Sequence, residues 1–75
     1  MDYRKRIISN PKVMLGKPVV KGTRITVELI LRKMAEGVSK TDILTMYPHL
    51  CTEDLNAVFE YASEVIGNED VIDPT

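Results

Sequence analysis

The sequence has no tryptophan, one phenylalanine and one cysteine among its 75 residues. A single cysteine excludes a disulfide within the chain. A core with so few aromatic side chains must be built mainly from Ile, Leu, Val and Met. No apolar run approaches the roughly 20 residues that a membrane-spanning helix needs. The basic start of the chain resembles the head of a signal peptide, but its apolar segment ends after two residues, so we expect a cytoplasmic protein.

Lys and Arg are absent after Lys40, and this asymmetry is the strongest signal in the composition. Residues 1–40 hold all 10 Lys and Arg against three carboxylates, which gives a net charge of +7. Residues 41–75 hold eight carboxylates and no Lys or Arg, which gives −8. The formal net charge of −1 therefore conceals two poles. A cationic pole of this strength predicts an anionic partner.

The length of the chain limits what it can bury alone. A domain of this size removes only about 60% of its extended surface from water. Small cores of this kind are often completed by a second chain, so we expect a homodimer.

The first part of the chain reads as a small β ribbon. Short apolar, β-branched segments at 6–9, 13–15 and 19–21 predict strands, and the Gly16-Lys17-Pro18 sequence predicts a turn between the last two. Gly16 and Gly22 fit backbone turns, because the glycine spacing of a phosphate-binding loop is absent.

Three helices are predicted after the ribbon. Thr26 is placed to cap the first, and Gly37 to end it. Ser39 opens a short second helix that Tyr47-Pro48 closes, and Thr52 is placed to cap a third. The third helix carries an apolar stripe that comprises Leu55, Val58, Phe59, Ala62, Val65 and Ile66.

These patterns predict a mainly α fold, a three-helix bundle of helix-turn-helix type with a small N-terminal β hairpin. Residues 1–67 form one domain in this interpretation, with the β ribbon at 1–25 and the three-helix core at 26–67. Residues 68–75 form an acidic C-terminal tail.

The third helix is unusually acidic for a DNA-reading helix. Its predicted exposed face comprises Glu53, Asp54, Asn56, Glu60, Ser63 and Glu64. Recognition helices normally present Arg, Lys, Asn or Gln to base edges, and carboxylates would repel the phosphates. Any nucleic acid is therefore expected at the opposite pole, on the ribbon and the first helix.

An ordered series of motifs resembles the domain of unknown function 433 family. The series runs from the sequence GKPVVKGTRITV at 16–27 through Gly37-Val38-Ser39 and Ile43-Leu44 to Tyr47-Pro48, within residues 6–63. The resemblance implies a small bacterial or archaeal protein with a homeodomain-like core. It also implies that many members are antitoxins, often paired with a PIN-like ribonuclease toxin, and it implies no enzymatic activity.

The residues predicted to bind nucleic acid are the cations of the ribbon: Arg4, Lys5, Arg6, Lys17, Lys21 and Arg24. Three other interpretations stay open for them. They could be a solvated set that protects the sheet edge from aggregation. They could mediate self-association of the two poles, and Arg24 could instead pair with a carboxylate of the third helix as a structural clasp.

The residues predicted to bind a protein partner are acidic or follow acidic residues: Glu60, Glu64, Glu69, Asp70, Val71 and Ile72. An acidic surface could cover the cationic substrate channel of a ribonuclease toxin. The leading hypothesis is thus a dimeric antitoxin and transcriptional regulator that also binds operator DNA. The alternative is a protein-interaction module with no affinity for nucleic acid.

No residues converge on enzyme chemistry in the sequence. His49 and Cys51 lack the further ligands that a zinc site needs, and a Cys-His nucleophilic pair lacks an orienting partner. We therefore expect no catalytic residues, no metal, no cofactor and no small-molecule substrate.

Overall fold

The structure, a computed structural model, describes residues 2–67. The predicted acidic tail at 68–75 lies outside the described residues. In chain order the elements are a 3-10 turn at Tyr3–Lys5, strand β1 at Ile7–Ile8, a second 3-10 turn at Met14–Gly16, strand β2 at Val19–Val20, and helices α1 at Val27–Ala35, α2 at Lys40–Met46 and α3 at Thr52–Gly67. The described chain is mainly helical, with three helices and one two-stranded hairpin, as the sequence predicted in outline.

The two strands pair antiparallel, with Ile7 opposite Val20 and Ile8 opposite Val19. A further bridge joins Val19 to Thr26, and the Val27 N–H donates to the Pro18 carbonyl over 3.0 Å. The hairpin therefore holds the start of α1 against β2.

The predicted strand at 13–15 is wrong. Met14 and Leu15 adopt left-handed backbone conformations, with φ of 50° and 58°, inside the second 3-10 turn. The turn is closed by hydrogen bonds from the Gly16 N–H to the Val13 carbonyl and from the Lys17 N–H to the Met14 carbonyl, each 3.1 Å long. The Ser9 hydroxyl donates to the Gly16 carbonyl and ties the turn to the end of β1. These contacts outweigh the extended preference of the apolar residues.

The predicted ends of α1 are confirmed. The Thr26 hydroxyl accepts a hydrogen bond from the Leu29 N–H at 3.0 Å, as an N-cap does. At the other end Gly37 has a φ of 94°, and its N–H donates to the Met34 carbonyl while the Val38 N–H donates to the Lys33 carbonyl. This pair of bonds is a Schellman motif, which requires the left-handed residue that glycine supplies.

Helix α2 begins as the sequence predicted, whereas the cap of α3 differs. The Ser39 hydroxyl accepts from the Asp42 N–H at 3.1 Å, and α2 ends at Met46, with Tyr47 as its C-cap. Thr52 is already the first residue of α3. The side chain that binds the start of the helix is Asp54, whose Oδ2 accepts from the Cys51 N–H at 3.0 Å.

The core lies between the hairpin and the three helices. Its largest fully buried side chains are Val19, Val20, Ile30, Ile43, Leu55 and Val58. The predicted stripe on α3 is buried only in its first half, because Val65 and Ile66 are 44% and 61% exposed. Of the helices within residues 2–67, none has the length and apolar character needed to cross a bilayer.

Candidate functional site

The first residues of the chain lie along α3 and connect the two charge poles. Nη1 of Arg6 lies 3.0 Å from Oδ1 of Asp54 and 3.4 Å from the sulfur of Cys51. The other oxygen of Asp54 accepts the Cys51 N–H. One carboxylate therefore joins the N-terminal segment to the first turn of α3.

Asp54 is a buried charge with its partners in place. The residue is only 8% exposed, contrary to the sequence interpretation that put it on the exposed face of the helix. Burial by itself raises the pKa of Asp54, but the hydrogen bonds from the Cys51 backbone and from Arg6 outweigh it and leave the pKa below its usual value. The carboxylate is thus ionised and paired at neutral pH.

A second contact joins the same segment to α3 three turns further along. Nη2 of Arg4 lies 3.6 Å from Oε1 of Glu64. The Tyr3 and Tyr61 rings meet edge to face at a centroid distance of 5.5 Å, and the Arg4 guanidinium lies 5.2 Å from the Tyr3 ring centroid. Burial raises the pKa of Tyr3, and the neighbouring Glu64 raises it further. Two predicted nucleic-acid contacts, Arg4 and Arg6, are therefore engaged with α3.

The surroundings of Cys51 disfavour its thiolate form. The Asp54 N–H lowers the pKa of the thiol, but burial and the carboxylates of Glu53 and Asp54 raise it more, so that the pKa lies above its usual value. A thiol of this kind is a poor nucleophile at neutral pH. Within residues 2–67 no group of three or more His, Cys, Asp or Glu side chains is arranged to hold a metal ion.

The remaining cations of the hairpin are open to solvent. A loop at residues 21–24, here called the basic loop, connects β2 to the segment before α1. Thr23 shapes it, because its hydroxyl donates to the Val20 carbonyl at 2.7 Å and accepts from the Ile25 N–H at 3.0 Å. Lys21 and Arg24 are exposed on this loop, and within residues 2–67 neither forms a salt bridge.

Lys5 is likewise exposed and makes no salt bridge in the described part of the chain. The backbone places it close to the basic loop, since the Lys21 N–H donates to the Arg6 carbonyl at 2.7 Å. The clasp that the sequence suggested for Arg24 is made instead by Arg6.

Lys17 contacts the exposed face of α1. Its amino group lies 3.1 Å from Oε2 of Glu28, while Nη2 of Arg32 lies 3.2 Å from Oε1 of the same residue. The hydrogen bond from Lys17 lowers the pKa of Glu28, and the charges of Lys17 and Arg32 lower it further. Glu28 and Arg32 thus form an i, i+4 pair within α1, and Lys17 contacts the same carboxylate.

An open groove of about 220 Å³ lies beside this face, and we call it the α1 groove. The residues that line it are Met14, Arg24, Thr26, Glu28, Leu29 and Arg32. Met14 is 41% exposed, and Leu15, next along the chain, is 93% exposed. Apolar side chains at left-handed positions are uncommon in proteins, and such positions concentrate at binding sites.

The predicted partner surface is described only in part. On α3, Glu60 and Glu64 are both exposed, Glu64 with its contact to Arg4. Glu69, Asp70, Val71 and Ile72 lie outside the described residues.

Sequence reasoning missed the Arg6–Asp54 contact and the α1 groove. The sequence does contain a signal for the role of Asp54 at the start of α3, because Asp54 is three residues after Cys51 and can bond back to its N–H, as in a capping box. Nothing local indicates Arg6 as its partner. The groove had no signal, since it depends on the left-handed turn at Met14 and Leu15.

The fold and these contacts define a small helical domain whose N-terminal hairpin is fastened to its last helix. The model of the family described as "Protein of unknown function (DUF433)" matches residues 7–62. The chain therefore belongs to the DUF433 family.

A solved structure extends this result to the fold. The chain is similar to a DUF433 member protein from Anabaena variabilis ATCC 29413, known from its crystal structure, with 29% sequence identity and a TM-score of 0.79. The similarity covers 83% of this chain but 61% of the other, so the chain spans less than two thirds of that protein. No curated protein matches the chain.

Proposed function

We propose that this protein is a dimeric antitoxin and transcriptional regulator. In this proposal its basic hairpin binds nucleic acid, and its acidic C-terminal half binds a PIN-like ribonuclease toxin. The protein has no catalytic role of its own. The observation that carries the proposal is the exposure of Lys5, Lys21 and Arg24, none of which has a salt-bridge partner within residues 2–67.

The proposal assigns the helices to a homeodomain-like helix-turn-helix, with α2 and α3 as the helix pair. Support comes from the mutual packing of the three helices and from the connection at residues 47–51. The proposal assigns DNA binding to the hairpin and not to α3. Three carboxylates on α3, those of Glu53, Glu60 and Glu64, are exposed and would repel the phosphates. Two-stranded ribbons and basic arms bind DNA in other regulators.

The number of available cations sets the expected strength of binding. Arg4, Arg6 and Lys17 each have a carboxylate partner, and this leaves three of the six predicted contacts without one in the described chain. If three cations per protomer contact phosphates, the log-log slope of affinity against salt is about −2.7 per protomer. A slope of this size is small for one protomer, and a dimer would double it because each protomer contributes the same contacts.

Fluorescence anisotropy with a labelled duplex of about 20 base pairs tests the nucleic-acid part, with salt varied from about 50 to 200 mM. We expect the double variant Lys21→Glu and Arg24→Glu to lose binding at the lowest salt. Lys12→Ala removes an exposed cation outside the basic loop and serves as the control. Absence of a complex between the unchanged protein and duplex at low salt would reject the nucleic-acid role.

Copurification from the native host tests the toxin part. We expect a ribonuclease to be recovered with the full chain and to be lost when Glu60 is changed to Lys, because the substitution reverses an exposed charge on the acidic face. Recovery of a homodimer without a ribonuclease would argue against the antitoxin role.

The second candidate is a protein-interaction module without nucleic-acid binding. The contacts of Arg4 with Glu64 and of Arg6 with Asp54 favour it, because they neutralise part of the cationic pole inside one chain. The anisotropy experiment separates the two candidates.

A further inference from the structure

We propose that the α1 groove binds the acidic C-terminal segment of a second copy of this chain, with Val71 and Ile72 in the groove and Glu69, Asp70 and Asp73 against its cations. The proposal does not depend on nucleic-acid binding. It names a surface and an occupant for the dimer that the proposed function assumes. It assigns Arg24 and residues 69–72 to that dimer, which leaves Lys5 and Lys21 for nucleic acid and Glu60 and Glu64 for the toxin.

The chemistry of the groove matches this segment. Met14 and Leu29 supply apolar surface, and Arg24 and Arg32 lie on its walls, while Glu28 is already paired with Lys17 and Arg32. The segment Glu69-Asp70-Val71-Ile72-Asp73 places two adjacent aliphatic residues between carboxylates. Apolar contacts in the centre with opposite charges at the rim are the usual arrangement of a protein interface.

The turn beside the groove is already fixed in the free protein. Met14 and Leu15 are held at positive φ by the hydrogen bonds that close the turn, so no loop has to be ordered on binding. A preorganised surface loses less entropy when a peptide segment binds to it.

The position of the groove favours a second copy over the same chain. Val27 and Ile30 face the core that α3 also enters, whereas Glu28 and Arg32 lie on the opposite side of α1. Helix α3 contacts α1, and the buried side chains of both helices belong to the same core. A second copy can approach the groove directly from solvent, which makes it the simpler occupant.

Sedimentation of the isolated full chain, without nucleic acid or toxin, measures the dimer. We expect a dimer whose dissociation constant rises at least about tenfold in the double variant Val71→Ser and Ile72→Ser, because burying each aliphatic side chain contributes more than the 1.4 kcal/mol that corresponds to tenfold. Arg24→Glu is expected to weaken the dimer as well. Lys12→Glu makes the same charge change outside the groove and is expected to leave the dimer intact.

A charge exchange tests which surfaces meet. Arg24→Glu and Asp70→Arg should each weaken the dimer alone, and an equimolar mixture of the two variants should restore part of it as a heterodimer. A monomer at all concentrations would overturn the proposal, and so would a dimer that the Val71 and Ile72 substitutions leave unchanged. Because nucleic acid and toxin are absent, these outcomes do not depend on the proposed function.

Discussion

Replacing Asp54 with Ala should destabilise the domain by about 2 to 3 kcal/mol. The substitution leaves the Cys51 N–H without its acceptor at the start of α3 and removes the 3.0 Å hydrogen bond from Arg6. Loss of a capping interaction costs about 1 kcal/mol, and loss of a hydrogen bond to a charged group costs about 1.5 to 3 kcal/mol. The two costs sum to about 2.5 to 4 kcal/mol, and because the Arg6 side chain is 38% exposed and keeps access to water, we discount the sum to about 2 to 3 kcal/mol.

Urea denaturation followed by circular dichroism measures this change, with Glu60→Ala as the matched control. Glu60 is an exposed carboxylate on the same helix, and no salt bridge involves it within residues 2–67. For a domain of this size the expected loss lowers the melting temperature by at least about 8 °C. A change of less than about 0.5 kcal/mol for Asp54→Ala would refute the structural role of the contact.

The difference in unfolding free energy between the unchanged protein and Asp54→Ala should depend on pH, and the direction of that dependence follows from the pKa of Asp54. The pKa of Asp54 is lower in the folded chain than its usual value, so its contribution to stability is present above about pH 4 and is lost as the pH falls through the folded pKa. The difference in unfolding free energy between the unchanged protein and Asp54→Ala should therefore shrink below about pH 4. A difference that stays constant from pH 7 to about pH 2 would contradict the assignment.

Two further predictions concern backbone conformation, and both are read by the same denaturation assay. Leu15→Gly should stabilise the domain by about 0.5 to 1 kcal/mol, because glycine relieves the left-handed conformation while an exposed side chain leaves no cavity, and Leu15→Ala should give no such gain. Gly37→Ala should cost about 1 kcal/mol through its φ of 94° alone, since no atom lies within 4 Å of the added methyl group. Gly67→Ala, also in open space but at the last residue of α3 and without a positive φ, should be neutral or stabilising, and an equal cost for both glycines would contradict the argument.

Helix ends were predictable from the sequence because their signals are local. Thr26, Gly37 and Ser39 act on backbone groups within a few residues, so the sequence around each contains the whole interaction. The position of β1 and β2 followed in the same way from short β-branched segments between turn residues.

The turn at Met14 and Leu15 and the burial of Asp54 were not predicted, and the physical reasons differ. The left-handed turn at Met14 and Leu15 contradicts local preference and is maintained partly by Ser9 at the end of β1. Asp54 was placed on the exposed face of α3 because carboxylates are usually exposed, but Arg6 approaches it from 48 positions earlier in the sequence. The basic N-terminal segment and the acidic helix α3 are therefore in contact, through Arg6 with Asp54 and Arg4 with Glu64.

The packing of the N-terminal segment against α3, which includes the contacts of Arg4 with Glu64 and of Arg6 with Asp54, also limits when the domain can fold during synthesis. The residues that α3 packs against leave the ribosome first, and they must wait without their partner until about fifty further residues have been added. Native structure therefore forms late, close to the release of α3 from the exit tunnel. A nascent chain interrupted before Asp54 would expose its apolar hairpin and be an early substrate for proteolysis.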